Sequence, residues 1–236
     1  MSERGSRTAI VMAAGKGIGE GIARYLAGIG YKLLLVSNGD GAARLASELG
    51  CLSFRGSAAR KADIDAVVAL ALANWDRIDL VVNNTGHPAR GELLEITDQS
   101  WHDGLDLLLL NVVRMAQAVT PVMQRQGGGA IVNISTYAAE QPELNYPVSS
   151  TLRAALTAWT KLYTDAYGRF NIRMNNILPG AMENYPAAAD RIAAIPLRRQ
   201  GRMEELGRTV AFLASAGAGY IAGQNIRVDG GLARGL

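Results

Sequence analysis

Gly15-Lys16-Gly17-Ile18-Gly19 sets three glycines and a lysine within five residues. Glycines let a ligand approach the backbone closely, and amides opening a helix can cradle a pyrophosphate. Between a strand and a helix, the pattern therefore points to dinucleotide binding. Other chemistries find little to work with. The single cysteine, Cys51, can form neither an intrachain disulfide nor a thiolate metal site, and it reads as a small apolar strand residue. His87 and His102 lack a carboxylate at ligand spacing and read as loop or surface residues, so no metal is expected. The 24 lysines and arginines are scattered among 21 acids, and aromatics make up only 6% of the chain, which argues against a nucleic-acid partner.

The glycine loop stands at such a junction. Residues 8–14 form a short apolar run, and residues 18–26 then carry apolar side chains at helical spacing. The alternation continues with strands at 31–36, 51–54, 78–82, 130–134, 172–177 and 225–228. Helices fall between them at 42–49, 64–75, 105–123, about 147–167 and 204–214. Strands apolar on both sides and separated by helices require a parallel sheet covered on both faces. The expected fold is α/β: a single doubly wound Rossmann-type domain over residues 1–236, with a mostly seven-stranded parallel sheet. The 236 residues, 49% hydrophobic, suffice for one such core. The start, Met1 to Arg7, is polar with no apolar leader behind it, and no window approaches the roughly 18 consecutive apolar residues of a membrane span. A soluble cytoplasmic protein without a membrane partner is expected.

Several motifs in this order resemble the classical short-chain dehydrogenases/reductases, nearly end to end. The glycine loop resembles that family's TGxxxGIG, and Asn83-Asn84-Thr85-Gly86 resembles its NNAG. Asn111 falls where the family has a helix asparagine, and Pro179-Gly180 matches its PG turn. Ile195-Pro196-Leu197, Phe212-Leu213-Ala214-Ser215, Gly223-Gln224 and Val228-Asp229-Gly230-Gly231 match its carboxy-terminal half. The resemblance implies a nicotinamide cofactor held by Gly15, Lys16, Gly17, Ile18, Gly19, Asn83, Gly86, Pro179 and Gly180, a small-molecule substrate, and a homodimer or homotetramer.

The departures from the family collect at functional positions. Met12 and Ala13 replace the Thr-Gly that opens the glycine motif, removing a residue that takes positive φ cheaply. Ser57 stands where an aspartate usually touches the adenine, and Asn184 where a threonine contacts the nicotinamide carboxamide. At the end of the second strand, where an acid would bind the ribose hydroxyls of NAD, the chain has Ser37-Asn38; with Lys16 in the loop this favours NADP(H) over NAD(H). Only residues 181–194 separate the PG turn from Ile195, and Ala187-Ala188-Ala189 offers no polar specificity, which suggests an open cleft.

The family's catalytic serine position is held by Thr136, preceded by Ser135. Its Tyr-x-x-x-Lys falls on Ser149 and Arg153. A second tyrosine, Tyr146, precedes Arg153 by seven residues and resembles the Tyr-x6-Lys of the enoyl reductase branch. Seven steps of about 100° come within roughly 20° of two helical turns, so Tyr146, Ser149 and Arg153 share a face. Pro147 suits the first helical position and makes Tyr146 the residue capping the helix. A phenol near pKa 10 donates poorly at neutral pH, and a neighbouring cation favours its ionised form; Arg153 would be that cation and would also help hold the cofactor. Thr136 and Ser149 hydroxyls would orient the substrate oxygen, and Asn111 would hold a water or a helix kink, by resemblance. The implied activity is NADPH-dependent reduction of a C=O, C=N or C=C bond in a small or medium substrate. Two alternatives stay open: a non-catalytic scaffold that keeps the fold, and a lyase resembling halohydrin dehalogenases, which carry Ser, Tyr and Arg.

Overall fold

A strand with apolar residues at every position is buried only when helices cover both faces of its sheet. The computed structural model, which describes residues 7–235, builds that arrangement. Strands β1 (Thr8–Val11), β2 (Lys32–Ser37), β3 (Leu52–Arg55), β4 (Leu80–Asn83), β5 (Gly129–Ile134), β6 (Ile172–Pro179) and β7 (Asn225–Val228) form one parallel sheet in the order β3-β2-β1-β4-β5-β6-β7. The helices are α1 (Gly17–Gly28), α2 (Gly41–Leu49), α3 (Lys61–Trp75), α4 (Asp98–Leu105), α5 (Asn111–Arg125), α6 (Pro147–Tyr167), α7 (Ala189–Ala194) and α8 (Met203–Leu213). Successive β1 residues face opposite ways. Ala9 and Val11 pack with Leu26 of α1, Leu45 of α2 and Leu206 of α8; Ile10 packs with Val67 of α3, Met115 of α5 and Leu156 of α6. The chain leaves β1 first toward β2 and later returns on its other side at β4. The crevice outside the strand ends at this reversal is where such sheets bind ligands.

Three details differ from the sequence reading. Cys51 lies just before β3, half-buried against the core, where burial pushes its thiol pKa up. The helix expected at 105–123 begins at Asp98 behind a Thr97 cap and passes through a π-helical segment, Asp106–Leu110, before Asn111. The helical stretch Asp98–Arg125 is long and apolar enough to cross a bilayer by length and composition, but Leu108, Val112, Met115, Val119 and Met123 are buried in the domain. Finally, the segment after the PG turn contains a short helix, α7, that its composition did not signal.

Across four strands the paired residues are all asparagines: Asn83 with Asn133, Asn133 with Asn176, and Asn176 with Asn225. Each side-chain amide donates to the next carbonyl at 2.9 Å. Asn225 in turn donates to Glu140 at 3.0 Å, and Thr160 of α6 donates to Asn176 at 3.1 Å. A buried amide ladder is tolerable because its members satisfy one another.

Candidate active site

The turn from β1 to α1 keeps its tight shape despite the missing glycine. Ala13 adopts φ +48°, a left-handed conformation unusual for a residue with a Cβ, so the alanine takes the backbone conformation that a glycine adopts cheaply. Gly17 has φ +57°, and a Cβ on Gly19 would lie 2.2 Å from the Ala13 carbonyl oxygen. Gly19 therefore serves the close packing of α1 on the loop, and it does not line the crevice. Asn84 donates to that same Ala13 carbonyl at 3.3 Å, tying the end of β4 to the loop.

A cavity of about 960 Å³ runs across the carboxyl ends of the strands. Beside β1, β2 and β3 it is lined by Gly15, Lys16, Gly17, Ile18, Ser37, Asn38 and Ser57. Beside β4, β5 and α6 it is lined by Gly86, Ser135, Thr136, Tyr146, Ser149 and Arg153, with Pro179 and Gly180 from the end of β6. Asn83 and Asn111, both buried, do not line it. Asn83 is the first rung of the asparagine ladder, and Asn111 ends the π-helical segment, its carboxamide oxygen accepting from the Val112 amide at 2.6 Å. Among the described residues no three His, Cys, Asp or Glu side chains converge to hold a metal ion.

Pro147 opens α6 with Tyr146 as its capping residue, and one face of that helix turns Arg153 into the interior. Arg153 is 9% exposed; it donates to the Ile134 carbonyl at 2.6 Å and to Thr85 Oγ1 at 3.4 Å. Burial pushes its pKa down to about 10, which leaves it charged at neutral pH. The cation against Tyr146 is a different one. Arg90, from the loop after β4, lies 4.8 Å from the centroid of the Tyr146 ring. The expected pairing of Arg153 with that phenol is thus replaced by Arg90 stacked on its ring. The Tyr146 hydroxyl makes no hydrogen bond to another described residue.

Sequence reasoning missed a second cluster. Tyr137, just past β5, donates its hydroxyl to Glu143 and accepts from Arg191 of α7 at 3.0 Å; all three line the cavity. Burial and the hydrogen bond to Glu143 push the Tyr137 pKa up to about 12. Beside the apolar Ala187 and Ala188, the segment after the PG turn also brings Asn184, Tyr185 and Arg191 to the cavity wall. His87 lies beside this wall, 5.8 Å from Tyr185 between ring centroids. Desolvation and the charges of Arg90, Arg153 and Lys16 hold its pKa below the usual histidine value. Nothing local marks Tyr137, Glu143 or Arg191 in the sequence; only the loop geometry brings them together.

With that geometry in view, comparison with known proteins is direct. A family model described as Enoyl-(Acyl carrier protein) reductase matches residues 12–233. Among curated relatives, Oxidoreductase UcpA of Salmonella typhimurium is 32% identical over 98% of this chain and 96% of its own length. The 3-oxoacyl-[acyl-carrier-protein] reductase FabG of Staphylococcus epidermidis is 30% identical over 96% and 99%. The chain belongs to the short-chain dehydrogenase/reductase family. Solved members of similar fold include the 3-ketoacyl-(acyl-carrier-protein) reductase of Brucella melitensis complexed with NADH, with TM-score 0.91, 26% identity and 96% and 98% of the two chains covered. The L-sorbose reductase of Gluconobacter frateurii complexed with NADPH and L-sorbose has TM-score 0.87 at 27% identity, covering 98% of each chain. This short-chain dehydrogenase/reductase is therefore an oxidoreductase by family, with its cavity where the fold binds ligands.

Proposed function

We propose that the protein is an NADP(H)-dependent reductase of a C=O, C=N or C=C bond in a small or medium organic substrate. The observation that carries this reading is one continuous cavity joining the glycine loop to Tyr146, Ser149 and Arg153. The residues present fit a dinucleotide: Gly15 lies so close to β2 that a Cβ there would come 3.1 Å from Ser37 Oγ, and Lys16 stands exposed at the opening of α1. When bound, the nicotinamide supplies the hydride. Gly15 to Ile18 would hold the pyrophosphate, Ser57 the adenine side, and Arg153 with Gly86, Pro179 and Gly180 the nicotinamide half.

Preference for the phosphorylated cofactor rests on charge at the end of β2. Among the described residues no carboxylate lines the cavity there; Asp40 is turned to Arg55 at 3.3 Å and is exposed. Lys16 faces the same wall and would attract a 2′-phosphate. Direct titration at fixed salt should give a lower Kd for NADPH than for NADH. Lys16→Ala should weaken NADPH by about tenfold and leave NADH nearly unchanged, the scale of one charge-assisted phosphate contact. Tighter NADH binding would refute the preference, and failure of both cofactors would remove the reductase reading.

For the proton, two of the three tyrosines in the cavity wall, Tyr137 and Tyr146, have opposite settings. Tyr137 already commits its proton to Glu143 and has a raised pKa. Tyr146 presents an uncommitted hydroxyl to the cavity wall under Arg90. Tyr146 is the proposed donor, with Thr136 and Ser149 orienting the substrate oxygen. The same reading carries a cytoplasmic setting, a small-molecule substrate with neither nucleic acid nor membrane as partner, and a homodimer or homotetramer.

A further inference from the structure

Three arginines reach the substrate half of the cavity from three elements: Arg90 from the loop after β4, Arg153 from α6 and Arg191 from α7. Their contacts are a tyrosine ring, a backbone carbonyl with a threonine hydroxyl, and a tyrosine hydroxyl; no ion pair joins any of them to a carboxylate among the described residues. One carboxylate, Glu143, lies in the described cavity wall, and Tyr137 donates to it. Positive charge is thus left over, and one of its carriers is almost fully buried.

A guanidinium withdrawn from water without a counter-charge is costly, and a fold retains one where a ligand completes the pair. A second observation marks the same place. Ser135 Oγ, in a residue 8% exposed that lines the cavity next to the carbonyl Arg153 holds, has no hydrogen-bond partner among the described residues. An orphaned donor beside an uncompensated cation suits an acceptor that is also negative. The cofactor's phosphates are accounted for elsewhere, at Lys16 and the glycine loop. Leu107, Met182 and Tyr185 line the cavity with these groups and supply apolar surface for an organic body.

We propose that Arg90 and Arg191 hold a carboxylate of the substrate, with the charge of Arg153 nearby, so that the enzyme acts on an organic acid. This rests on the reductase reading above and narrows its substrate class. Guanidinium forks match the plane of a carboxylate, which is why arginines rather than lysines would serve here.

The test compares 4-oxo-4-phenylbutanoate with its methyl ester by calorimetric titration of the NADP⁺-saturated protein, in which no hydride is available to consume the ketone. The acid is expected to bind about tenfold or more tightly than the ester, the scale of one well-formed charge-assisted contact. Arg90→Gln and Arg191→Gln, at exposed positions where the fold is not at stake, should each shrink that preference while leaving the affinities for ester and NADPH in place. Equal binding of acid and ester, binding of neither at about 10 mM, or a preference that survives in the Arg90→Gln/Arg191→Gln double variant would overturn the proposal. Displacement of the acid by equimolar inorganic phosphate would overturn the assignment to a carboxylate. NADPH binding is read separately by its fluorescence. If NADPH fails to bind, the reductase reading falls, and the comparison of acid and ester on the cofactor-free protein still decides the anion site.

Discussion

Tyr146 and Ser149 occupy adjacent turns at the start of α6, yet only the phenol can be brought into range as an acid. A serine hydroxyl lies too far above neutrality for nearby charge to tune, whereas a phenol needs a shift of only a few units. With a substrate that is turned over, Tyr146→Phe should lower kcat by about 100-fold or more, the scale of lost general-acid catalysis, and Ser149→Ala should cost less. A Tyr146→Phe variant as active as the parent would sink the assignment. His87 reports on the same charges. Because its folded pKa lies below the ordinary value, the unfolded chain binds more protons in the window between the two, and stability falls as pH drops through it. Desolvation is the larger cause of that shift, but an anion beside Arg90 and Arg153 offsets their share of it, so NMR titration of the His87 ring should show its pKa rising when an organic acid binds. An unchanged titration would separate His87 from the site.

The elements hold these residues by packing and by one polar device. Four strands are pinned in register by the ladder of Asn83, Asn133, Asn176 and Asn225, with Thr160 and Thr157 of α6 bonded to it. Since Arg153 is on that same helix and donates to the end of β5, the ladder fixes the helix that carries the buried cation. Asn176→Ala removes the central rung, leaves Asn133 and Thr160 short of a buried acceptor, and leaves Asn225 Oδ1 only the longer bond from Thr157 at 3.4 Å. The expected cost is about 2–3 kcal/mol in urea unfolding, from buried groups losing partners. A loss within experimental error would show that the ladder is incidental.

At the scale of the whole molecule, apolar side chains remain on the surface. Leu94 is 96% and Leu144 84% exposed, in the loops that follow β4 and β5, and Leu162 on the outer face of α6 is 67% exposed. Solvent-facing apolar residues on a long helix are what a partner subunit would cover. Light scattering at micromolar concentration should therefore report a dimer or tetramer, and Leu162→Glu should shift it toward smaller species. A monomer across that range would contradict the expectation.

The seven strands and the covering helices were legible along the chain because apolar periodicity is local: a run such as Ile78 to Val82 is apolar at every position but Asp79 and too short for a helix, whatever surrounds it. The glycine loop was legible for the same reason, since close backbone approach demands glycine at particular positions. What sequence spacing could not decide was which side chains meet across loops. Spacing along α6 set Arg153 on the face of Tyr146, but Arg90, 56 positions before Tyr146 in the chain, arrives over the ring instead. Tyr137, Glu143 and Arg191 likewise form one cluster from the β5–α6 connection and a short helix, and Asn83 faces a neighbouring strand instead of the cavity. Such meetings depend on the paths of irregular segments, whose backbone follows tertiary packing rather than any repeating pattern of residue types. The order of the elements was written in the chain, and the company that each functional side chain keeps was decided only when the sheet closed its crevice.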